Sequence, residues 1–386
     1  MTWGPARETA SSFGADNITL NLNGRTISGT PGPGNGNTAG VRLPNRTGVT
    51  VTGLPGGSGM KGAITGFDAG VFINRGSGNT IQNLAVTDNV GPADTDALLG
   101  DGIAVFYSAN NKILNNLLAR NGVYDGIGIL GLGSDNNLIQ GNTVEDTVGF
   151  FDRYNPSFQG HGIVITHFLN ADDPRGHSIF NNNVIDNTLR RNFTAGLSMV
   201  SNVNGRITGN TIEENGAPRR NQSYAIGVTT GDEAIKETRL LVEGNKLNRN
   251  GQAGIWVERG ASENQIVRNA VNENGFFGVV MGAAAPNNLI AENIALGNGR
   301  LDLLDFVGAF RDDPNCQGNI WRDNIYGTAA PECAANGTQV DDPSQYLSPE
   351  PAEPRTTNPS AGEPPPGWER ALEHSELPPR PKAPRN

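Results

Sequence analysis

The feature that most constrains this chain is a repeat that recurs about eight times between residues 81 and 326. Each copy contains an apolar residue, two further residues and an asparagine, followed by small and branched residues around a glycine. The asparagines of this first register are Asn116, Asn142, Asn182, Asn210, Asn245, Asn269, Asn293 and Asn324. Their spacings are 26, 40, 28, 35, 24, 24 and 31 residues. A minimum spacing of 24 residues, with longer spacings explained by insertions, is typical of a solenoid, in which each repeat forms one coil.

Each copy contains two or three short runs in which Ile, Val or Leu alternates with small or polar residues, as at 126–129, 137–139 and 142–144. Alternation with a period of two predicts β-strands. Gly and Asn end the runs, as expected where a chain turns through positive φ. Three strands and three turns per copy predict an all-β, right-handed, single-stranded parallel β-helix of roughly ten coils, about 50 Å long at the ordinary strand spacing.

A second row of asparagines supports this interpretation. Its members are Asn89, Asn121, Asn187, Asn215, Asn250, Asn274 and Asn298, and Leu84 and Thr147 are the exceptions in the two rows. A buried carboxamide at the same turn of every coil can donate to one copy and accept from the other. We therefore interpret both rows as architectural.

Composition limits the partners of this chain. Its formal net charge is −10, which disfavours nucleic acid and anionic membrane but leaves an acidic polysaccharide open, because local patches decide that interaction. No apolar run approaches the roughly 20 residues of a membrane span, so we expect no membrane insertion. Residues 1–16 have no apolar core of the kind found in export signals.

The organisation along the chain has three parts. Residues 1–16 form a polar lead-in, residues 17–335 the β-helix domain, and residues 336–386 a Pro-rich tail that we expect to be disordered. The two cysteines, Cys316 and Cys333, flank the last coil at a separation of 17 residues. A disulfide between them would hold the cap in place, although disulfides are typical of exported proteins and no export signal is visible.

Three segments resemble a known group, the NosD-like right-handed parallel β-helix repeat proteins. Residues 17–29 resemble its first coil, the Asn-Gly-x-x-Gly-Ile copies resemble its body, and residues 319–329 resemble its closing coil. The resemblance covers about residues 17–335 and implies a pectin-lyase-like solenoid. It also implies a polysaccharide partner and a secreted or cell-surface location, since the group belongs to the carbohydrate-binding and sugar-hydrolase β-helices.

The residue that precedes the strand glycine changes from coil to coil. In chain order these residues are Ala69, Asp101, Asp125, His161, Ala195, Tyr224, Ala253 and Phe277. Residues in register on adjacent coils lie about 5 Å apart, so Asp101, Asp125 and His161 should form one column. Two carboxylates at that spacing repel each other, which should raise the pKa of one of them. Such a pair suits acid and nucleophile chemistry on glycosides, and an Asp beside a His suits proton abstraction next to a uronate carboxylate.

The insertions cluster around the same column. Residues 148–159 and 167–177 flank His161, and residues 217–223 precede Tyr224. Loops on one face of a solenoid often mark its binding face, so we predict a groove over the coils between residues 101 and 224. The predicted substrate-binding residues are Tyr124, Arg153, Tyr154, Arg219 and Tyr224. The segment Gly-His-Gly at 160–162, after two Asp-Gly coils, is similar to the polygalacturonase arrangement, but the adjacent Asp pair and the downstream Arg-x-Lys of those enzymes are missing.

Several alternatives remain open. Asp-Gly is a common turn dipeptide, so Asp101 and Asp125 could be turn formers. We expect no cofactor, with Ca²⁺ at Asp172-Asp173 or Asp312-Asp313 as the weaker alternative, or a metal held by His167, His177 and Asp172. The chain is then either a polysaccharide hydrolase, lyase or uronate epimerase with Asp101, Asp125 and His161 as its catalytic residues, or a non-catalytic glycan-binding, structural or surface β-helix.

Overall fold

The computed structural model describes residues 11–30, 36–54, 62–92, 98–149, 159–167, 178–216, 223–230, 237–311 and 313–346. These residues form three long parallel sheets, which we name A, B and C in the order in which the chain enters them. Each coil contributes one short strand to each sheet and then pairs with the next coil. The predicted all-β parallel β-helix is confirmed.

The strands of the three sheets have the following bounds. Sheet A contains Ser11–Ser12, Ala39–Pro44, Ala69–Asn74, Ile103–Phe106, Asp125–Leu130, His161–Thr166, Leu197–Val200, Tyr224–Thr229, Ala253–Glu258, Phe277–Met281, Leu301–Asp305 and Ala329–Ala330. Sheet B contains Thr19–Asn21, Thr50–Thr52, Thr80–Gln82, Lys112–Leu114, Leu138–Gln140, Asn183–Ile185, Arg206–Thr208, Leu241–Glu243, Gln265–Val267, Leu289–Ala291 and Ile320–Arg322. Sheet C contains Thr26–Ser28, Ala63–Thr65, Ala85–Thr87, Leu117–Ala119, Thr143–Glu145, Thr188–Arg190, Thr211–Glu213, Lys246–Asn248, Ala270–Asn272, Ile294–Leu296, Asn324–Tyr326 and Gly337–Gln339.

The remaining elements are small. Two short strand pairs join Gly122–Val123 to Val148–Gly149 and Ile179–Phe180 to Asn202–Val203. The helical elements near the C-terminal end are the α-helix Phe306–Phe310 and the 3₁₀ turns Cys316–Gly318, Glu332–Ala334 and Pro343–Gln345.

The solenoid is somewhat longer than the sequence predicted. Sheets A and C have 12 strands each and sheet B has 11, against an expected ten coils. The first strand, Ser11–Ser12, and the last, Gly337–Gln339, lie just outside the predicted domain of residues 17–335. The remainder of the predicted tail, from residue 347 onward, lies outside the described residues.

The core consists of aliphatic side chains that stack in register from coil to coil. In sheet B, Ile113 pairs with Ile139, Ile139 with Val184 and Val184 with Ile207, and all four are buried. Fully burying such a side chain stabilises the fold by about 1.5–3 kcal/mol. The alternation of apolar and polar residues therefore fixes the strand register, since a slip of one residue would expose a whole row.

The asparagine rows form hydrogen-bonded ladders. Asn142 shows the pattern: its Nδ2 donates to Asn187 Oδ1 at 3.0 Å and to the carbonyl of Ile113 at 2.8 Å. Its Oδ1 accepts from the backbone N–H of Asn116 at 2.9 Å and from the Asn116 Nδ2 at 3.0 Å. Each carboxamide is satisfied by its neighbours, and the architectural interpretation is confirmed.

The predicted assignment of asparagines to the two rows is wrong in the coil of the longest insertion. Asn142 donates to Asn187, which donates to Asn210, so Asn187 rather than Asn182 belongs to the first register. In the same coil Asn192, not Asn187, continues the second register and donates to Asn215. The sequence misled because Ile179-x-x-Asn182 matches the repeat as well as the true copy at 184–187 does.

A third ladder was not predicted. It contains Asn79, Asn111, Asn137, Asn182 and Asn202, and, after a coil in which Thr238 donates to Asn264, resumes with Asn264, Asn288 and Asn319. This ladder explains why Asn182 looked like a member of the repeat. It lies at the turn that leads from sheet A into sheet B.

Two ladders end on buried carboxylates at the C-terminal end. Asn298 Nδ2 donates to Asp302 Oδ1 at 2.7 Å, and Asn319 Nδ2 donates to Asp305 Oδ2 at 2.8 Å. A carboxylate can take the place of the next carboxamide because the last position needs an acceptor only. Asp305 also caps the short helix by accepting the N–H of Gly308.

The predicted disulfide between Cys316 and Cys333 is present, with the Cα atoms 6.1 Å apart. Together with the short helix it closes the C-terminal coil.

Candidate functional site

Each member of the outward row of sheet A is followed by a small residue that faces the core, a glycine in most coils and Ala225 after Tyr224. A Cβ on Gly126 would lie 2.2 Å from Val144 Cγ1, and one on Gly196 would lie 2.1 Å from Ile212 Cγ2, both inside the core. The glycine position therefore faces a packed interior with no room for a side chain. The row that precedes it faces outward, because Ala195, Tyr224 and Ala253 pack with Trp256 and Val280 in a cluster separate from the aliphatic core.

The strand pairing confirms the predicted column. Asp125 pairs with His161, and the row continues two coils further with Tyr224, which pairs with Ala253. Asp101 lies on the coil before Asp125, since the Gly102 N–H donates to the carbonyl of Asp125 at 3.0 Å. We call the residues Asp101, Asp125, His161, Ala195 and Tyr224 the outer row.

Asp125 and His161 are in direct contact. The imidazole Nδ1 lies 2.9 Å from Asp125 Oδ1, and the backbone N–H of His161 donates to the same oxygen at 3.3 Å. Both side chains are buried: Asp125 is completely inaccessible to solvent, and His161 is 2% exposed. With the carboxylate ionised, Nδ1 carries the proton and Nε2 holds the free lone pair.

The surroundings keep the imidazole neutral. Burial lowers the pKa of the His161 side chain to about 4, because a charged imidazolium loses hydration in this environment. The buried Nε2 atom has no hydrogen-bond partner among the described residues. The lone pair of this atom is the one position on the ring that could accept a hydrogen bond or a proton.

The Asp101 carboxylate occupies space that a glycine on the next coil leaves open. Its Oδ1 lies 2.9 Å from where a Cβ of Gly128 would be, so any larger residue there would collide with it. Asp101 is completely buried. The structure thus brings both predicted carboxylates and the histidine together on one face.

On the two coils that follow His161, the outer row carries a small side chain, Ala195, and then a large one, Tyr224. The Tyr224 ring lies flat over Gly227, since its Cε2 is 2.2 Å from where a Cβ would be. Burial raises the pKa of the Tyr224 hydroxyl well above its ordinary value, so this group remains protonated, with a smaller opposing effect from Ser198. His161 and Tyr224 are two coils, or about 10 Å, apart.

The structure describes only part of the predicted substrate-binding set. Tyr224 belongs to the outer row, whereas Tyr124 is a buried packing residue: its ring lies against Gly100, and it clusters with Val123 and Val90. Arg153, Tyr154 and Arg219 lie outside the described residues.

Sequence reasoning missed Ser198, Gly128 and Gly227, which lie on one outward row beside the predicted column. The available signal was the glycine in the middle of each of the two strands, at 128 and 227, because a glycine inside a strand often marks a close approach.

No metal centre emerges from the part of the chain that the structure describes, since it contains no group of three or more His, Cys, Asp or Glu side chains that could hold an ion. Of the weaker metal alternatives, Asp172, Asp173, His177 and Asp312 lie outside the described residues. Asp313 accepts the backbone N–H groups of Asn315 and Gln317 and so forms a turn.

Within the described ranges, no helix is both long enough and apolar enough to pass through a membrane.

The fold and the outward row define a solenoid of the parallel β-helix class, and comparison with family models agrees. The model of the right-handed β-helix region matches residues 14–172 and 157–313. The chain belongs to this family. No curated protein matches the sequence.

Comparison with solved structures gives matches at low sequence identity. The catalytic unit of a GH87 α-1,3-glucanase from Streptomyces thermodiastaticus is 13% identical, with a TM-score of 0.54 over 86% of this chain and 60% of its own. The Dettilon tailspike protein is 14% identical, with a TM-score of 0.48 over 85% of this chain and 60% of its own. PfbA, a surface adhesin of Streptococcus pneumoniae, is 11% identical, with a TM-score of 0.47 over 82% and 79%. The chain thus spans about 60% of the length of the first two.

Proposed function

We propose that the outer face of sheet A binds a saccharide chain and that the Asp125–His161 pair moves a proton at the reacting sugar. The observation that carries the proposal is the 2.9 Å contact between Asp125 Oδ1 and His161 Nδ1, which leaves the buried Nε2 without a partner among the described residues. The solved protein with the higher TM-score is itself an α-1,3-glucanase, which is consistent with a saccharide ligand for this fold.

The geometry favours proton abstraction over hydrolysis by two independent carboxylates. Asp125 Oδ1 already accepts from the imidazole and from the backbone of His161, so this oxygen is engaged in orienting the base. In a neutral imidazole whose Nδ1–H is held by a carboxylate, the lone pair lies at Nε2, and this is the atom that would take the proton. The reaction class is then elimination or epimerisation on a uronate, where the proton next to the carboxylate is acidic enough to be removed.

In the elimination, His161 Nε2 takes the proton from the carbon beside the sugar carboxylate. The electron pair of that C–H bond forms the new double bond, and the glycosidic C–O bond breaks with its electrons on the leaving oxygen. That oxygen takes its proton from water, and Tyr224, two coils from His161, would contact a neighbouring sugar unit of the same chain. Asp101, buried beside Asp125, would orient the sugar hydroxyls.

The test is a panel of acidic and neutral polysaccharides, assayed for unsaturated uronate absorbance and for reducing ends. We expect His161→Ala and Asp125→Asn to lower kcat by at least about a hundredfold, since general base catalysis contributes about 10²–10⁴. The matched control is Asp68→Asn. Asp68 is a buried carboxylate outside the outer row that accepts from Asn37 and Thr38, so its loss should lower the melting temperature and leave kcat unchanged.

One observation favours a second function, a non-catalytic glycan-binding β-helix. Asp101, Asp125 and His161 are almost completely buried, as residues of a purely structural polar cluster would be. In that case His161→Ala would lower the melting temperature as much as Asp68→Asn does. No polysaccharide of the panel would be cleaved by the wild-type chain, and the enzymatic proposal would fail.

The disulfide between Cys316 and Cys333 bears on location. Disulfides persist in oxidising compartments, and extracellular polysaccharides are found there. We include an exported or cell-surface location in the proposal.

A further inference from the structure

The outer face of sheet A continues past Tyr224 into an aromatic surface. Phe277 pairs with Ala253, which pairs with Tyr224, so these residues follow the outer row in register. Phe276 and Phe277 are half-buried, with ring centroids 6.3 Å apart. Trp256 packs edge-on against Phe277 at 6.2 Å. We call Trp256, Phe276, Phe277 and Arg300 the aromatic platform.

Arg300 gives the platform a charge. Its guanidinium carbon lies 4.9 Å from the centroid of the Phe276 ring, and its side chain is exposed. Among the described residues no carboxylate forms an ion pair with it. The carboxylate of Glu258 bonds to another member of the platform: it accepts a hydrogen bond from Trp256 Nε1 at 2.9 Å. The platform therefore combines half-buried aromatic rings with an exposed guanidinium that has no ion-pair partner among the described residues, on a chain whose net charge is −10.

This combination fits one class of ligand. A sugar ring presents a face of C–H groups that packs on an aromatic ring, and a guanidinium binds a carboxylate or sulfate through paired N–H donors. A protein chain or an apolar molecule would not need the exposed cation. Because the row from His161 through Tyr224 to Phe277 runs from coil to coil, a ligand bound along it would lie parallel to the solenoid axis.

We propose that the aromatic platform is a distal subsite for an anionic sugar of the same polysaccharide chain that reaches His161. The proposal rests on the function proposed above and names its substrate as an acidic polymer. Phe277 is four coils from His161, about 19 Å at the strand spacing, which an extended saccharide would span with roughly four sugar units.

The experiment measures binding of the full chain to polygalacturonate, alginate and hyaluronate, and to neutral dextran and amylose, by affinity electrophoresis. We expect at least one acidic polymer to bind. Arg300→Gln should then weaken binding to that polymer about fivefold at low salt, with the difference shrinking at high salt because the contact is exposed. Phe276→Ala and Phe277→Ala should weaken it about tenfold, because the stacking area is lost.

Two surface variants are matched controls. Arg322→Gln removes an exposed arginine of sheet B, and Phe310→Ala removes an exposed phenylalanine of the short helix. Both should leave binding unchanged. Melting temperatures identify any loss of fold, which matters most for Phe277→Ala because that ring packs against Trp256. Arg300→Gln alters no packed side chain in the core and keeps the test valid.

Chain length gives an independent measurement. Oligosaccharides of six or more units derived from the bound polymer should lose affinity in Arg300→Gln, whereas trimers should bind both proteins equally.

The proposal is overturned if no acidic polymer binds, or if Arg300→Gln and Phe276→Ala bind every polymer as the wild type does. Both outcomes are binding measurements and do not depend on whether the protein cleaves the polymer.

The subsite proposal alone is wrong if His161→Ala stops cleavage while the platform variants bind normally. The proposed function fails, and the platform stands, if His161→Ala cleaves normally while the platform variants bind weakly.

Discussion

The asparagine ladders and the outer row of sheet A use the same coil-to-coil spacing in opposite ways. In a ladder nearly every coil carries an asparagine, and each Asn satisfies the next, as Asn142 and Asn187 do. The outer row instead combines unlike residues on successive coils: Asp101, Asp125, His161, Ala195 and Tyr224. In the ladder the carboxamides bond to one another, whereas in the outer row the buried His161 Nε2 has no hydrogen-bond partner among the described residues.

The difference teaches how a repeat protein separates stability from chemistry. Identical residues can satisfy one another because donor and acceptor alternate along the stack. Chemistry needs unlike groups side by side, so it appears where the repeat is broken.

The largest expected effect comes from breaking a ladder in its middle. Asn187→Ala removes the acceptor of the Asn142 Nδ2 and backbone N–H, together with the donor to Asn210 and to the Ile139 carbonyl. Each buried group left without a partner costs about 1–3 kcal/mol, so the free energy of unfolding should fall by roughly 3–5 kcal/mol. Urea unfolding followed by circular dichroism measures it.

The matched control is Asn183→Ala, because Asn183 belongs to the same coil but its Nδ2 donates to the Asn181 carbonyl at an exposed position. Its expected cost is below about 1 kcal/mol. Equal losses for Asn183→Ala and Asn187→Ala would show that the ladders do not stabilise the fold as described.

The next effect is a pH dependence specific to the outer row. Folding lowers the pKa of His161 from 6.5 to about 4, so the unfolded chain binds one more proton between these values. Stability from this group is therefore complete above pH 6.5 and is lost as the pH falls towards 4, by an amount on the order of 3 kcal/mol.

The measurement compares urea midpoints at pH 7 and pH 5 for the wild type and for His161→Gln. The variant should show the smaller drop. If both proteins lose the same stability between the two pH values, the imidazole is not buried in its neutral form.

The smallest effect concerns a ladder of charges at the turn after sheet C. Acids and arginines alternate there on successive coils, in the order Asp88, Arg120, Asp146, Arg191, Glu214, Arg249 and Glu273. Arg191 Nε lies 2.9 Å from Asp146 Oδ1, with both side chains about one-third exposed. Exposed pairs contribute little, so Arg191→Ala should cost about 0.5 kcal/mol.

The salt dependence identifies this contribution. Half a molar NaCl should reduce the difference between Arg191→Ala and the wild type, because screening weakens exposed pairs. A cost above about 2 kcal/mol that salt leaves unchanged would instead indicate lost packing of the arginine stem.

Most of the fold was predictable because each coil contains a complete copy of the signal. The alternation of apolar residues and the turn residues recur often enough that errors in single coils do not matter. The exception was the coil after the longest insertion, where Asn182 and Asn187 both match the repeat. Only hydrogen bonding between coils distinguishes them.

The candidate site was predictable in part. Aligning the coils on their glycines placed Asp101, Asp125 and His161 in one column, because parallel in-register strands stack equivalent residues. Ser198, Gly128 and Gly227 were missed, since they lie on the neighbouring outward row and belong to no motif. The platform at Phe276 and Arg300 was missed because a guanidinium over a ring depends on rotamers.

The sequence by itself determined the parallel β-helix, the Asn rows outside the longest insertion, the cysteine pair and the outer row, because these follow from periodicity and register. The tertiary structure decided which asparagines share a ladder and that His161 Nδ1 turns to Asp125 Oδ1. It also decided how deeply both are buried, and that Arg300 covers Phe276. Those properties depend on side-chain direction and on neighbours from other coils, which no periodic pattern specifies.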